Sequence, residues 1–487
     1  MLNSVSSSGN LYNQLIDQII SAERAPARRL EAQRSDQKVF KGVISDFDAK
    51  LSKLEDSLSD LTSSVTNPLN ELSATVSEGV TAFSAQAESQ AATGPHTLEV
   101  QQLAQADTRV SQSYTSDATG LRSFFDANGA QTFSISVASP TDADPQNRED
   151  ISVTVDPVGT TNKEILEEVS AAINTAMASA VDDGTISASD KASVSLVNET
   201  SSTSRLSVRS AETGYTNRLE FTDSAGGLLN ALQVTQNDTT TDDGSGGQIY
   251  DIGTSETDSA LNSRFVLDGL TLYRDSNTVD DALNGVTLTL SETNTQAETF
   301  TIEPDEESIT KTVESFIETY NSALDFVKNK SAIDPETDTR GQFASETGFR
   351  SLRFNLRNDA VASVSGMPDG APSRLSDIGI EVDSSGRLEL ADTEKLTAAV
   401  SADPDAVQSL FASADGVGTR MLERVERYTA SDGILNRRKQ GIDRSIRRLD
   451  DRIDRFDRRL ERRRERLQEQ FAQVQKMQQQ LQSQSLF

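Results

Sequence analysis

Few residues in this chain have the types and spacing that chemistry asks for. His96 is the only histidine and cysteine is absent, so no histidine cluster, thiolate nucleophile, disulfide or cysteine metal site can be assembled. His96 follows Pro95 at the start of the alternating stretch "HTLEVQQL", where a surface or turn position is expected. "GVGT" at 416–419 has glycines but lacks the lysine of a phosphate loop. The acidic stretch 236–262 lacks the ligand spacing and closing glutamate of a calcium loop and reads as a polar linker. Carboxylates abound, and the sequence leaves open whether two of them are buried as a pair. The 25 aromatics, in a body rich in Ser, Thr and Asp, outline no substrate pocket. No catalytic, cofactor-binding or metal residue is assigned, no cofactor is expected, and the chain reads as non-enzymatic.

What remains is charge and periodicity. The 487 residues suffice for two to four domains, and 35% apolar content is low for one globule. The net charge of −30 is uneven. Residues 1–75 carry 8 basic and 10 acidic side chains, and residues 420–487 carry 18 and 11. The 20 basic and 55 acidic groups between them make an acidic body that repels nucleic acid and anionic membranes. No apolar run approaches the ~20 residues of a membrane span. The first positive charge is Arg24, and "LYNQLIDQII" mixes polar with apolar residues. A cytoplasmic protein, or one exported without a cleaved signal peptide, is expected.

The basic end is "DRSIRRLDDRIDRFDRRLERRRERLQEQ", residues 443–470, with 11 arginines against 8 acids. A DNA-reading arm is nearly one-signed, so nucleic acid is not the expected partner. Ile442, Ile446, Leu449, Ile453, Phe456, Leu460, Leu467, Val474, Met477 and Leu481 alternate in steps of four and three, provided Arg463 and Gln470 fill two slots. That is a heptad seam of nearly six repeats. Asp443–Arg447, Asp451–Arg455 and Asp454–Arg458 are acid-first pairs four apart, each worth roughly 0.2–0.5 kcal/mol if made. The arginines are read as the soluble, paired face of a long helix.

The other end carries a matching seam: Phe40, Ile44, Phe47, Leu51, Leu54, Leu58, Leu61 and Val65, with Asn67-Pro68 as the stop. Upstream, Leu11, Leu15 and Ile19 share one face, and Pro26 breaks or restarts the helix. Two seams at opposite ends invite pairing, because neither helix can bury its own stripe. Residues 1–39 and the turns beyond about 460 have surplus seam and no evident partner in the body. They are expected to be mobile until an assembly orders them.

Between the ends, short alternating runs such as "FSISV", "ISVTV" and "NGVTLTL" predict half-buried antiparallel strands. "FVLDGLTLY" turns at Asp268-Gly269, the pair a type I′ hairpin needs. "NKEILEEVSAAINTA" reads as a helix, as does "DEESITKTVESFIETYNSALDFV", whose first-turn acids suit the helix dipole. "IGIEVDSSGRLEL" is a second hairpin.

Several of these stretches resemble bacterial flagellar filament-capping proteins, the flagellar hook-associated protein 2 family. They are "LIDQIISAERAPARRLEAQ", "GPHTLEVQQLAQA", "LSDIGIEVDSSGRLELADTEKL", "VQSLFASADGVG", "GILNRRKQGID" and "RLERRRERLQEQF". The most specific is "FVLDGLTLYRDSNTVDDALNGVTLTL", and "RLSVRSAETGYTNRLEF" resembles a short module of flagellins. The matches touch about half the chain. One departure is that Gly9 is followed by Asn10 and Leu11 where the family usually shows Gly-(Leu/Ile)-Asp.

The resemblance implies an α+β multidomain fold. N- and C-terminal coiled-coil helices form a leg, a helical-plus-hairpin stem follows, and β-rich head domains are inserted. The expected division is 1–39 as N-terminal mobile arm, 40–75 as coiled-coil helix, and 76–109 with 228–304 as the head domain near the stem. Residues 110–227 make the outer head, 305–440 the stem, and 441–487 the C-terminal coiled-coil helix and arm. The resemblance further implies a homo-oligomeric ring at the distal tip of the flagellar filament, extracellular and secreted through the flagellar channel. Flagellin, the export apparatus and an export chaperone are the implied partners. A hook–filament junction protein or flagellin-like subunit is the structural rival, distinguished by assembling into filaments rather than closed plates. A tip adhesin binding host glycans is the second rival, although no lectin-like aromatic platform is present.

Overall fold

The computed structural model describes residues 3–63, 67–140, 147–223, 227–237, 243–334, 336 and 339–484. Its helices are α1 (Asn3–Glu23), α2 (Ala25–Thr62), α3 (Gly120–Asn128), α4 (Asn162–Asp182), α5 (Leu228–Leu232) and α6 (Glu306–Ser331). They continue with α7 (Thr347–Val361), α8 (Thr393–Ala402), α9 (Pro404–Ala412), α10 (Val417–Thr429) and α11 (Ile434–Gln484). The fold is mixed α and β, and the chain forms two units, residues 1–71 with 305–487 and residues 72–304.

The first unit is helical. Side-chain oxygens start its helices by accepting otherwise orphaned N–H groups: Asp305 from Ser308, Asp392 from Lys395 and Asp403 from Ala406. Glu306 and Glu307 in the first turn of α6 and Lys328 and Lys330 in its last both suit the macrodipole. Val43, Ile44, Phe47, Leu51, Leu54, Leu58 and Leu61 of α2 are buried against Ile309, Val313, Phe316, Tyr320, Leu324 and Val327 of α6 and against α9 and α10. A four-ring knot closes this core. Phe47 stacks on Phe326 at 5.7 Å and 2°, and meets Phe343 and Phe349 edge-on at 5.5 and 5.6 Å. The hairpin Ile380–Val382 with Leu388–Leu390 is present as expected from "IGIEVDSSGRLEL".

Asp415 ties two segments of this unit. It accepts the Ser365 hydroxyl at 2.7 Å and N–H at 3.0 Å, and the Arg420 guanidinium at 3.1 Å. Led by the Ser365 hydroxyl, these donors hold its carboxyl at about 2, below the ordinary 3.8. A depressed carboxylate stabilises above its unfolded value and loses that contribution as pH falls through the folded one. Asp415→Asn should therefore lower the melting temperature at pH 7 by no more than a few degrees, with the gap closing between about pH 4 and pH 2. A gap that persists at pH 2 in calorimetry would remove ionisation as the cause.

The second unit is built on antiparallel sheets. One runs Leu72–Val76, Glu298–Pro304, Gly94–Gln102, Ser263–Leu267 and Leu270–Arg274, and a smaller one runs Thr278–Leu283, Val286–Leu290 and Phe83–Ala87. These share a core around Leu98, Val100, Phe265, Leu288 and Phe300. The Asp268-Gly269 turn has φ of 50° and 84°, the double positive φ a type I′ hairpin demands. Its Asp268 accepts from Thr97 N–H at 2.8 Å and lies 2.7 Å from Nδ1 of His96. His96 is thus a half-buried strand residue, stacked on Phe300 at 5.3 Å. The turn position expected from Pro95 is overridden, because His96 is paired in register with Phe300 of the neighbouring strand.

A second core in this unit joins α3, α4 and α5 to the sheet Glu220–Asp223, Gln131–Ala138, Arg148–Val155. A five-stranded sheet containing Thr203–Ser210 and Ala192–Asn198 completes it. Ile165, Val169 and Ile173 of α4 face this core, as their four-residue spacing predicts. The boundary drawn after residue 227 falls inside it: Leu228, Leu229, Leu232 and Val234 are all buried there, because "LLNAL" forms the short α5.

Candidate assembly surface

The terminal helices pair antiparallel. Arg34 meets Asp450 at 3.0 Å, Lys41 meets Asp443 at 2.6 Å, Arg24 meets Asp457 at 3.6 Å and Asp17 meets Arg464 at 2.5 Å. The α11 partners climb in sevens, 443, 450, 457 and 464, while the others descend from 41 to 17. The one irregular interval, from 34 to 24, spans the turn at Arg24 where Pro26 restarts the helix. Lys439–Asp48 and Glu23–Arg463 add rungs at 2.8 and 3.6 Å. All are partly exposed, so each contributes at most about 1 kcal/mol and mainly sets register and direction.

Under the ladder lies the seam. Ile442, Leu449, Ile453, Leu460 and Leu467 are buried, and Ile446 and Phe456 are half-buried. Of the N-terminal set, Ile44, Phe47, Leu51, Leu54, Leu58 and Leu61 are buried in the helical core, and Phe40 is half-buried beside Phe343 at 6.3 Å. Val65 lies outside the described residues. The two predicted seams therefore meet only near Phe40, Ile44 and Ile442. Beyond them, residues 43–61 are covered chiefly by α6, α9 and α10, with Leu435 of α11 in the same core.

The distal part of α11 does find cover within the chain, contrary to the expectation of surplus seam from about residue 460. The cover is α1, whose Ile16 is 2% exposed and whose Ile19 and Ile20 are half-buried. Leu15, expected on the covered face, is 43% exposed, so the helix is turned by one residue from the expected stripe. Sealing stops near Leu467: Val474, Met477 and Leu481 are 49, 63 and 59% exposed. Arg463 fills its slot half-buried, while Gln470 is exposed and Phe471 is half-buried in its stead. The step of four from Leu467 to Phe471 was legible in the sequence.

The expected pairs along α11 are not the ones made. Asp443 turns to Lys41, and among the described residues Asp451–Arg455 and Asp454–Arg458 form no ion pair. The acids on one side of the seam face basic groups of α2. On the other side sequence reasoning missed a regularity: Arg448, Arg452, Arg455, Arg459, Arg462 and Arg466 each precede a seam position by one residue. All six are exposed, and none has an ion pair among the described residues. Arg459 lies over the Phe456 ring at 4.3 Å.

Among the described residues, no cluster of three or more potential metal ligands exists and no helix is long and apolar enough to cross a membrane. The chain matches two models of one family, "Flagellar hook-associated protein 2 N-terminus" over residues 8–107 and "Flagellar hook-associated protein 2 C-terminus" over residues 260–483. The chain belongs to the flagellar hook-associated protein 2 family.

Among relatives in the hook-associated protein 2 family, the A-type protein of Pseudomonas aeruginosa is 29% identical over 210 residues, 41% of this chain and 43% of that one. The Salmonella typhimurium member is 27% identical over 252 residues, 50% and 51% respectively. The chain spans about half the length of the curated relatives it matches, or less. In fold it is similar to the D1-D2-D3 domains of the flagellar cap protein FliD from Escherichia coli, with a TM-score of 0.57, 23% identity, 82% of this chain covered and 99% of that one. Family membership agrees with the resemblance read from "FVLDGLTLYRDSNTVDDALNGVTLTL", which lies within the C-terminal match.

Proposed function

We propose that this chain is a structural cap at the distal tip of the bacterial flagellar filament, an oligomeric lid under which flagellin folds and inserts. The observation that carries the reading is the leg of α1, α2 and α11. It is held in register by a heptad ladder of weak, exposed ion pairs and ends in the exposed Val474, Met477 and Leu481. A cap must bind and release filament subunits repeatedly, so contacts built from many modest terms suit it. Exposed apolar residues along the outer part of a helix are what a docking surface requires. The family and the likeness to a cap protein's domains support the same reading. The partners that go with it are other copies of the chain and flagellin, with export through the flagellar channel aided by a chaperone. The role is mechanical and needs no catalysis.

The test is complementation of a cell lacking this chain. The full chain should restore motility and keep flagellin out of the medium. A chain lacking residues 1–39 and 460–487 should restore neither. Normal filament growth with the shortened chain would overturn the proposal.

A further inference from the structure

We propose that the arginine stripe of α11 is an interface between copies of this chain, seated in an acidic furrow on the helical unit of a neighbour. The inference rests on the reading that copies associate and names the surfaces by which they do so. The stripe borders a groove of about 780 Å³ between α2 and α11, lined by Arg29, Arg452, Arg455, Arg458, Arg459 and Arg462 around Phe456. On the opposite flank of the seam, α11 acids meet basic groups of α2. On this flank α2 offers Arg29 and Gln33, so the two helices present cation to cation. Half a dozen guanidinium groups gathered without a carboxylate repel one another, and an acidic occupant relieves that repulsion.

The same unit carries the complement. A furrow of about 510 Å³ between α6 and the strand Leu388–Leu390 is lined by Glu314, Glu318 and Glu389, with Ile317 and Leu390 among its apolar residues. The three glutamates are exposed and have no ion pair among the described residues, whereas Asp325 nearby is already held by Arg387. Glu314 and Glu318 are four apart on α6, as Arg455 and Arg459 are on α11. Both pairs therefore span one helical turn of about 6 Å, a match that allows two carboxylate–guanidinium contacts at once.

One copy cannot satisfy itself this way. Lys50 of α2 donates to Ser322 of the furrow at 2.9 Å, which sets the furrow level with residue 50. The Asp450–Arg34 and Asp457–Arg24 pairs set Arg455 level with residues 24–34. The interval along α2 is about 25 to 40 Å at 1.5 Å per residue, so the occupant comes from a second copy.

The experiment is light scattering and sedimentation of the full chain across concentration and salt. Arg455→Glu with Arg459→Glu should weaken self-association by about tenfold or more, with unchanged far-ultraviolet dichroism. Glu314→Arg with Glu318→Arg should do the same, and mixing the two variants should restore association between them. The wild-type assembly should loosen as salt shortens the screening length below about 8 Å. If the wild type associates but either pair leaves it unchanged, or the mixture fails to recover, the interface is wrong while the cap reading stands. A wild type that stays monomeric at every concentration overturns both. If the arginine pair alone weakens association and added polyanion competes, the stripe serves a different anionic partner and the furrow assignment falls.

Discussion

Phe47→Ala should destabilise the helical unit by about 3–5 kcal/mol. The ring is fully buried and touches three others, stacking on Phe326 and taking the edges of Phe343 and Phe349. Phe343 and Phe349 are only 4.6 Å apart between centroids and are themselves buried, so neither can swing into the space left behind. The penalty therefore combines lost transfer energy with an uncollapsed cavity. Phe40→Ala, seven residues earlier on the same predicted stripe, should cost roughly half as much or less, because that ring is half-buried and reaches only the rim. Urea unfolding followed at 222 nm reports on this unit, where the long helices reside. A loss below about 1 kcal/mol for Phe47→Ala would mean that the core repacks and is not held by the four-ring knot.

That contrast shows what periodicity can and cannot say. Phe40 to Leu61 is an unbroken four–three series, and it is helical along its whole length. A heptad states that a stripe will be buried and leaves open against what. Residues 43–61 are claimed by α6 and α10, whose own stripes, such as Ile309 to Val327, are equally apolar and equally unable to cover themselves. Along residues 16–41 the ion pairs run to α11, and there the α2 stripe thins to Ala27, Leu30, Arg34 and Gln37, too polar to have been read as a seam. The partner was legible instead in the charges, since the acids of α11 at 443, 450 and 457 recur in sevens and their basic partners lie on the other helix. Reading Asp443 against Arg447 used the helix's local geometry, where the cross-helix contact to Lys41 wins.

In the sheet unit, local features were legible and their assembly was not. Asp268-Gly269 announces its turn because few residue pairs tolerate positive φ at both positions. The neighbours of the strand Gly94–Gln102 come from residues 263–267 and 298–304, well over a hundred positions later. Alternation marks each strand's buried face but carries no record of the strand across the ladder. His96 became a half-buried residue for that reason, since its burial depends on Phe300 and Asp268 and not on Pro95.

The leg is the part whose disruption should be felt furthest. Ile453→Asp together with Leu460→Asp should abolish filament growth, leaving motility at the level of a cell without the chain, while the helical core keeps its melting temperature within a few degrees. Each buried seam residue contributes about 1.5–3 kcal/mol. Against that stands an ordering cost of about 1–2 kcal/mol for every residue whose backbone is fixed, so a two-helix leg with only a handful of buried positions is marginal. A carboxylate placed in the seam brings a desolvation penalty of several kcal/mol, and two of them exceed what Ile442, Leu449 and Leu467 can hold together. Ile453 and Leu460 are 5 and 6% exposed, and neither belongs to the core around Phe47, which is why the effects separate. Far-ultraviolet dichroism should fall by the helicity of the leg alone, and limited proteolysis should move to residues 1–39 and 445–487. If motility survives with the leg opened in this way, contact with the filament runs through some other surface. If instead the whole helical unit melts, α1 and the outer half of α11 are part of its core, and the leg is no independent element at all.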